Sequence, residues 1–538
     1  MKPLRITRTQ AVFVIVFLSF AVFANSLLGE FVYDDLPGIV NNVALRSPAS
    51  LPKFFTGGLW SFTALKTKDD FLYRPLPLVF GFLLYQVFGA APFGYHLVSL
   101  LLHVLNSVLV FFLIRRLLGT EDNLPPFLAA AVFVVHPVHV EAVSWIGAGV
   151  DLLLTLFFLS SFLGYLSYVE CQRPRLSALA LPLLMFVLAL LTKEVGIVLP
   201  VVLLAFDIIV RRRVSPVPLA VFGVVGAVYF VVRGMILGKA LGTLHFSLEG
   251  VGHVASFIAE ALKLTVFPWP LGVYPLPPRP DLLVVTISVL LMGVFLLLSI
   301  KSRVCLFSSF WFFVTLGPPL LLAFHSRPVF AERFLYLPTA GLSILLAFSL
   351  AILLKRKAGP VMAALVAATL IFGAVTVRAG ADWRNDGVFY GRMIERFPSF
   401  AGGYFGLAMY YERKGVTDQA IAAYQNALDH SRSTEDKLSA YDNLGRLYGI
   451  GGVYDRSIEF YRQALRLEPG SSGALVGLGN NYWAIKDSQS ALRYYEEALA
   501  ADSNNYVAAH NLALLHNQLG NRDKAAFYSA LEKRLKTD

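Results

Sequence analysis

Adjacent carboxylates follow the first hydrophobic run of the chain, in the segment Glu30-Phe31-Val32-Tyr33-Asp34-Asp35. Two like charges beside a low-dielectric membrane raise the pKa of one carboxyl group, and a raised pKa suits a general base or acid. An ordinary hydrated loop carries the same residue types, so these residues alone leave catalysis and a solvated loop both open. Asp34 and Asp35 are the first candidates for proton transfer.

A second polar group is the segment His136-Pro137-Val138-His139-Val140-Glu141, and Asp151 follows it at the start of the next hydrophobic run. Histidine and glutamate at this spacing can bind a divalent cation, but Pro137 disrupts the regular face of a helix. Helix breaking and hydrogen bonding at the membrane interface explain the same residues. We expect these side chains to support a site, and the metal, if any, stays unknown.

Cations stand at further ends of hydrophobic runs, in Lys193-Glu194, in Glu332-Arg333 and at Arg74. Charged groups in such places are costly unless they are paired or solvated. One interpretation is that Arg74, Lys193 and Arg333 hold the phosphate of a lipid-linked substrate as it becomes a leaving group. The alternatives are ion pairing with Glu194 and Glu332 and, for Arg74, extension toward the lipid headgroups.

The composition indicates that a membrane bundle positions these residues. Of the 538 residues, 56% are hydrophobic and 15% are charged, and the mean hydropathy of +0.63 is rare among soluble proteins. The net charge of +11 arises from short Lys and Arg clusters between hydrophobic runs, which indicates membrane topology rather than nucleic-acid binding. The sequence also lacks a glycine-rich phosphate loop, so nucleotide-driven chemistry is disfavoured.

Runs of about 18 apolar residues are long enough to cross a bilayer as helices. We expect eleven spans, the first of them a retained anchor rather than a cleaved signal peptide. The predicted spans are 11–28, 93–114, 125–142, 150–168, 176–192, 195–210, 217–236, 282–300, 304–324, 334–354 and 359–377.

Basic clusters fall at alternate connections between these runs, which places those connections and the N-terminus in the cytoplasm. Two shorter apolar segments, 76–88 and 252–267, would invert this pattern if they crossed, so we expect interfacial helices there. Eleven spans then leave Asp34, Asp35 and everything after residue 378 on the outer side. The chain is predicted to be a multi-pass membrane protein, with the bacterial inner membrane and a periplasmic C-terminal part preferred.

The last 160 or so residues carry a 34-residue period that is typical of tetratricopeptide repeats. Two copies read Leu444-Gly445-x-x-Tyr448 and Leu478-Gly479-x-x-Tyr482, while Leu407-Ala408-x-x-Tyr411 begins an earlier copy and Leu512-Ala513 a degenerate later one. Small residues let paired helices approach while tyrosines fill the space between them. We therefore expect about four helical hairpins that bind another protein or serve as a scaffold.

Seven motifs in one order resemble a known family, the transmembrane and tetratricopeptide repeat O-mannosyltransferases, within the wider GT-C superfamily of lipid-sugar-dependent glycosyltransferases. They run along nearly the whole chain, which makes the resemblance more specific than any one of them. The motifs are Phe31-Val32-Tyr33-Asp34-Asp35, Tyr73-Arg74-Pro75-Leu76, Gly94-Tyr95-His96, 136–143, Thr192-Lys193-Glu194-Val195-Gly196-Ile197, 331–338 and Trp383-Arg384-Asn385-Asp386.

The resemblance implies that the first outer loop supplies the catalytic carboxylate, at Asp34 or Asp35, and that the donor is a sugar on a polyprenyl phosphate. It also implies an acceptor hydroxyl of Ser or Thr on an exported protein. We expect Glu141 to orient the base or help hold a metal, with Arg74, Lys193 and Arg333 on the donor phosphate. The supporting residues are His136, His139, Asp151, Glu194 and Glu332.

The predicted architecture is all-α: a polytopic GT-C-like bundle over 1–378, a connecting segment over 379–400 and an α-solenoid of repeats over 401–538. The predicted partners are membrane lipids, the polyprenyl-phosphate-sugar and an acceptor protein on the repeats, without nucleic acid. No cofactor is certain, and a divalent cation is possible. The alternative function is a non-catalytic membrane scaffold whose repeats assemble other proteins, and a transporter ranks behind both.

Overall fold

The computed structural model describes residues 5–63, 72–173, 175–238, 248–272, 274–275, 282–321 and 329–537. Contacts divide the chain into two compact units, Met1–Asn385 and Asp386–Asp538. The segment 379–400, where we expect a connection, holds the 3-10 turn Ala381–Trp383 and a helix that starts the second unit.

The regular secondary structure in the described residues of the first unit is helical apart from one pair of two-residue strands, β1 (Tyr274–Pro275) and β2 (Val329–Phe330), which run antiparallel. Its helices are α1 (Arg8–Phe23), α2 (Pro75–Phe88), α3 (Pro92–Leu118), α4 (Leu124–Val135), α5 (Val140–Ser144), α6 (Gly149–Glu170), α7 (Ala180–Thr192), α8 (Leu199–Ala205), α9 (Pro216–Leu237), α10 (Leu248–Leu264), α11 (Leu282–Ser299), α12 (Arg303–Leu320) and α13 (Tyr336–Gly380).

Within the described residues, seven helices are long and apolar enough to cross a membrane, or eight if one bent pair counts as a span. The predicted count of eleven is higher because several predicted spans are interrupted. The run 125–142 bends by 54° between α4 and the segment that starts at Pro137. A proline that lacks an N–H and fixes φ explains this break.

Another predicted span also differs from a single straight helix. The run 195–210 is a 3-10 turn, the short helix α8 and the π-helical segment Phe206–Arg211. The runs 334–354 and 359–377 are both present in α13, as two helices that meet at a non-helical break at Lys357, where φ is −143° and ψ is 60°. The run 304–324 extends over 322–324, which lie outside the described residues.

Two basic clusters, at 115–116 and 211–213, lie together at one end of the bundle. Arg116 at the end of α3 pairs with Glu170 at the end of α6 at 2.7 Å, and Arg211, just before α9, donates to the Val169 carbonyl at 3.3 Å. The opposite ends of α3, α6 and α9 therefore lie toward the other side of the bundle.

The second unit consists of helical hairpins, as the repeat period predicts. Its helices are α14 (Asp386–Arg396), α15 (Ala401–Arg413), α16 (Thr417–His430), α17 (Thr434–Ile450), α18 (Tyr454–Leu467), α19 (Ser472–Ala484), α20 (Ser488–Ala501), α21 (Tyr506–Gln518) and α22 (Arg522–Thr537). A Cβ on Gly477 would lie 2.2 Å from the Tyr461 ring, and one on Gly479 would lie 2.4 Å from the Tyr495 ring. Glycine is therefore needed where these helices touch.

Candidate active site

A cavity of about 520 Å³ lies in the first unit, at the ends of α3, α6 and α9 that are remote from the basic clusters. Its volume falls within the range of small-molecule sites, roughly 300–1,000 Å³. Most of its wall is apolar, with Leu78, Phe80, Leu84, Leu102, Leu153 and Leu321 among the lining residues. The ionisable residues on its wall are Asp34, Asp35, Arg74, Lys193, Glu194, Arg233 and Arg333.

Asp34 and Asp35 have different surroundings although they are adjacent. Asp35 is only 1% exposed, and its carboxylate accepts hydrogen bonds from the Val32 N–H at 3.0 Å and the Gly147 N–H at 2.8 Å. Asp34 is partly exposed on the cavity wall. The structure thus leaves Asp34 available to a substrate and uses Asp35 to attach the first loop to the α5–α6 connection.

The backbone before this pair is in an uncommon conformation. Tyr33 has φ of 58°, in the left-handed region, where a non-glycine residue stores strain. The Tyr33 ring packs edge-on against Trp145 at 5.6 Å between ring centroids. This contact, together with the hydrogen bonds of Asp35, holds Asp34 at the cavity.

Burial raises the pKa of Asp34 to about 6, and the positive charge of Arg333 opposes that rise. A carboxylate with this pKa is largely ionised at neutral pH yet more basic than an ordinary aspartate. Its basicity is close to what efficient proton abstraction near neutral pH requires.

Arg333 is held on the cavity wall by several groups. Glu141, which is 0% exposed, accepts the Arg333 backbone N–H at 3.0 Å through Oε2 and the guanidinium through Oε1. The guanidinium carbon lies 5.0 Å from the centres of both the Trp145 and Phe334 rings. Cation–π contacts and the ion pair therefore fix the orientation of this charge.

Lys193 is the second cation, and Asp151 binds it from behind. The Lys193 Nζ lies 2.5 Å from Asp151 Oδ1, and both side chains are buried. Burial lowers the pKa of Lys193, Asp151 opposes this, and the charges of Arg74 and Arg333 lower the pKa further. Arg74 and Arg333 are therefore both close enough to Lys193 to repel its charge.

Arg74 is the third cation, and Glu194 binds its guanidinium. Arg74 donates from Nε at 3.3 and 3.2 Å and from one terminal nitrogen at 2.8 Å to the two Glu194 oxygens. Burial would raise the pKa of Glu194, but the Arg74 charge and hydrogen bonds bring it below its usual value. This ion pair is the alternative to phosphate binding that we give for Arg74 in the sequence analysis. Arg74 lines the cavity even while it is paired with Glu194.

Five predicted site residues lie behind the cavity wall of the described chain rather than on it: Glu141, Asp151, His136, His139 and Glu332. His136 Nε2 is 3.1 Å from the Thr265 carbonyl oxygen, and His139 Nε2 is 2.9 Å from Thr339 Oγ1. Glu332 accepts the Gly272 N–H. Glu141 is therefore not a wall residue, because its carboxylate faces Arg333.

The same residues do not form a ligand set for a resident metal in this conformation. Among the described residues, no three His, Cys, Asp or Glu side chains converge on one point. The two histidine rings make different hydrogen bonds instead. His136 reaches the end of α10, and His139 reaches α13.

Two wall residues, Arg233 and Trp145, were not among our predictions. Arg233 had a usable signal, since it is the sole charged residue in the apolar run 217–236. An ionisable residue inside such a run marks a functional site by default. The sequence does not mark Trp145 in a comparable way, because this residue contributes to the site through the contacts of its ring with Arg333 and Tyr33.

Comparisons with known proteins match both parts of the chain. Residues 75–235 match a family described as dolichyl-phosphate-mannose-protein mannosyltransferase. Residues 400–467 and 472–505 match two tetratricopeptide repeat families. The resemblance predicted from the sequence motifs is confirmed, and the apolar helices together with the mannosyltransferase match make this a multi-pass membrane protein.

Similar curated proteins carry the name protein O-mannosyl-transferase. The mouse (Mus musculus) protein TMTC4 is 34% identical over 220 residues, which are 38% of this chain and 30% of that protein. Human (Homo sapiens) TMTC3 is 30% identical over 196 residues, 36% of this chain and 21% of that protein. The matched part of the chain thus spans less than a third of these relatives' length.

Solved structures overlap this chain over 28% of its length. MamA gives a TM-score of 0.25 at 20% identity, covering 85% of that chain. YrrB, described as a tetratricopeptide repeat protein with an unusual peptide-binding site, gives a TM-score of 0.24 at 19% identity, covering 76% of that chain. Similarity at this level supports no statement about what the repeats bind.

Proposed function

We propose that this chain is a membrane glycosyltransferase that moves mannose or another hexose from a polyprenyl-phosphate-sugar to Ser or Thr hydroxyls of exported proteins. The observation that carries the proposal is the arrangement of Asp34 beside three cations on the wall of one largely apolar cavity. A base, a phosphate-binding group and space for an isoprenoid chain are the parts that this reaction needs. The similarity to protein O-mannosyl-transferases supports the same chemistry.

In the proposed mechanism, Asp34 removes the proton of the acceptor hydroxyl while that oxygen attacks the anomeric carbon. The bond between this carbon and the phosphate oxygen breaks, and the lipid leaves as a phosphate monoester. The donor phosphodiester carries one negative charge and the leaving monoester gains a second, while the acceptor proton stays on Asp34. Direct displacement inverts the anomeric configuration.

Arg74, Lys193 and Arg333 stabilise the charge that develops on the leaving phosphate. Each is already oriented by a carboxylate, namely Glu194, Asp151 and Glu141 respectively. Prior orientation matters because the cations then need little rearrangement as the charge develops. The three carboxylates are thus positioning groups in this mechanism.

A divalent cation stays a possibility outside this scheme, since the three side-chain cations supply the phosphate-binding charge. Transfer assays with and without a chelator measure any such requirement. A rate that a chelator abolishes and Mg²⁺ or Mn²⁺ restores would add a metal to the mechanism.

We propose that the cavity opens to the outer face of a bacterial inner membrane and that the repeats bind the acceptor on that side. The position of the cavity, at the helix ends away from the basic clusters, supports this orientation. An odd number of spans would place residues after 378 in the same compartment. Labelling of single cysteines by a membrane-impermeant reagent measures the orientation.

The experiment that tests the function is transfer of labelled sugar from polyprenyl-phosphate donors to endogenous acceptors in membranes. Asp34→Asn should lower the rate by a factor of about 100 or more, since general base catalysis contributes roughly 10² to 10⁴. At neutral pH this variant should keep or raise Tm, because the raised pKa of Asp34 means that its ionised form costs folding free energy.

Asp35→Asn is the matched control. It should lower stability by about 1–3 kcal/mol. In the parent protein, each of two backbone N–H groups donates to an oxygen of the Asp35 carboxylate, whereas in the variant one of them would face the amide nitrogen of asparagine. Parent-level transfer by folded Asp34→Asn protein would refute the assignment of the base. The absence of transfer by the parent protein across a broad donor panel would refute the enzymatic function itself.

The second candidate function is a non-catalytic scaffold that assembles exported or envelope proteins on the repeats. The repeat hairpins favour it as much as they favour acceptor binding. Under this alternative, partner binding depends on the repeats and is indifferent to Asp34. Pull-down of partners with Asp34→Asn protein, compared with the transfer assay, separates the two functions.

A further inference from the structure

We propose that Arg233 is a fourth phosphate-binding residue of the cavity, acting on the charge that the lipid phosphate gains as the sugar leaves. This inference rests on the proposed function for its reaction step. The phosphate-binding part of the inference does not depend on that function, since it concerns any lipid that carries a phosphate monoester. Arg74, Lys193 and Arg333 were expected from the sequence to bind phosphate, whereas Arg233 was not.

Arg233 is buried, whereas its neighbours on α9 are mostly exposed. Most residues around it face outward, and Met235 is 78% exposed while Val231 is 56% exposed. Arg233 is only 4% exposed and lines the cavity wall. A long cationic side chain that merely reached the headgroups would remain exposed on the lipid-facing side. Arg233 instead faces the same space as Asp34.

Tyr229, one helical turn before Arg233, connects this part of α9 to the other cations. Its hydroxyl donates to the Tyr73 carbonyl at 3.5 Å, and the two tyrosine rings lie 6.2 Å apart. Arg74, Glu194 and Arg233 all act electrostatically on this hydroxyl. Arg233 is therefore close to the Arg74–Glu194 ion pair at the cavity edge.

Four cationic residues line one wall of a poorly solvated cavity, and Glu194, Asp151 and Glu141 each hold one of them in place. Even with these partners, the charges of Arg74 and Arg333 lower the pKa of Lys193, so like charges repel within the site. A bound anion offsets such repulsion, and a dianion offsets it more than a monoanion. The site is therefore better matched to the phosphate monoester product, and to the transition state approaching it, than to the phosphodiester donor.

The test compares Arg233→Met and Arg233→Lys in the full-length protein. Methionine keeps a long apolar side chain without charge, and lysine keeps the charge without the fork of hydrogen-bond donors. The probes are a polyprenyl monophosphate and the corresponding polyprenol, each measured by the shift in Tm and by competition with the donor. Arg213→Gln is the matched control, because Arg213 is exposed and absent from the cavity wall.

We expect Arg233→Met to weaken monophosphate binding about tenfold or more, with polyprenol binding unchanged. Arg233→Lys should retain part of the affinity, and Arg213→Gln should match the parent. In the transfer assay, kcat should fall more than KM rises, because the extra charge develops only as the lipid leaves.

Monophosphate binding by folded Arg233→Met and Arg233→Lys proteins at the parent level would overturn the inference. An equal loss of monophosphate and polyprenol binding would also overturn it, because the residue would then act only on the shape of the cavity. A parent protein that binds the monophosphate through Arg233 but transfers no sugar would leave this inference standing while the proposed function fails.

Discussion

Individual residues in this chain acquire their roles from neighbours that are remote in sequence. Asp34 and Asp35 are chemically the same and adjacent, yet the Gly147 N–H, 112 residues away, binds Asp35. That contact fixes which carboxylate is structural and leaves Asp34 as the candidate base. The proposed chemistry therefore depends on one loop docking onto the α5–α6 connection.

The pKa of Asp34 predicts the pH dependence of transfer. A base acts in its ionised form, so the rate should rise with pH through a midpoint near 6 and fall as Asp34 becomes protonated below it. Arg333→Gln should move this midpoint upward besides slowing transfer, because the Arg333 charge holds the pKa of Asp34 down. Initial rates measured from pH 4.5 to 8.5 with saturating donor provide the check.

Arg213→Gln serves as the control for this profile, since it removes an exposed cation away from the cavity. Its midpoint should equal that of the parent. A parent midpoint near 4, or an Arg333→Gln midpoint that moves downward, would contradict the assignment of Asp34 as the titrating base.

At the scale of elements, the site depends on how α5 meets the start of α13. Glu141 in α5 binds both the backbone and the guanidinium of Arg333, 192 residues later. Close by, His139, just before α5, and Thr339, in the first turn of α13, form a hydrogen bond of 2.9 Å. The break at Pro137 directs this short segment toward α13, so a helix-breaking residue contributes directly to the geometry of the site.

The Glu141–Arg333 pair gives a prediction that separates stability from catalysis. Glu141→Gln should destabilise the protein by about 1–3 kcal/mol, because it removes the nearer carboxylate of Arg333 and leaves Asp151, at 4.0 Å, as the other one. The double variant Glu141→Gln/Arg333→Met should recover much of that stability, since both charges are removed together. It should not recover transfer, because the cation itself is needed at the phosphate.

Thermal unfolding in detergent and the transfer assay, applied to all three variants, measure the two effects. Full transfer by the double variant would show that Arg333 contributes only to folding. A double variant less stable than Glu141→Gln would show that Arg333 is stabilised mainly by Trp145 and Phe334 rather than by the carboxylate.

At the scale of the whole molecule, the chain consists of two units that are stabilised differently. The first unit is a bundle of apolar helices, whereas the second is a run of hairpins in which each repeat packs mainly on its neighbours. Stability in such a repeat array is governed by the contacts between successive hairpins. Substitutions at those contacts should therefore act within the second unit.

Two glycines of α19 allow a matched test of this idea. Gly477→Ala places a Cβ 2.2 Å from the buried Tyr461 ring and should destabilise the repeats by about 1–3 kcal/mol. Gly473→Ala meets nothing within 4 Å and should stabilise them by up to about 1 kcal/mol through helix propensity. Amide hydrogen exchange, followed separately in residues 401–538 and in the first unit, measures both effects.

Opposite signs confined to the second unit are the expected result. If Gly477→Ala increased exchange equally throughout α3 and α6, the two units would unfold together and the separation would be wrong. With a natural acceptor, Gly477→Ala should also lower transfer, whereas binding of polyprenyl monophosphate should be unchanged if the repeats serve the acceptor alone.

The sequence by itself determined the class of architecture, because hydrophobicity and periodicity are local properties of the chain. Apolar runs predicted the membrane bundle, and the 34-residue period predicted the hairpins with glycine at their contacts. The ordered motifs predicted the resemblance to the O-mannosyltransferase family, which the comparisons confirm. The span count was less predictable, since interruptions such as the break at Pro137 and the irregular run 195–210 depend on packing against other helices.

The tertiary structure alone decided which charged groups meet. The partners of Asp35, Arg74 and Arg333 lie 112, 120 and 192 residues from them, and no local pattern encodes such pairings. The fold turned Glu141 away from the cavity and brought Arg233 onto its wall. The physical reason is that burial and electrostatic interaction depend on distance in space, so the type of each residue suggested its chemistry while the packing of the helices determined its role.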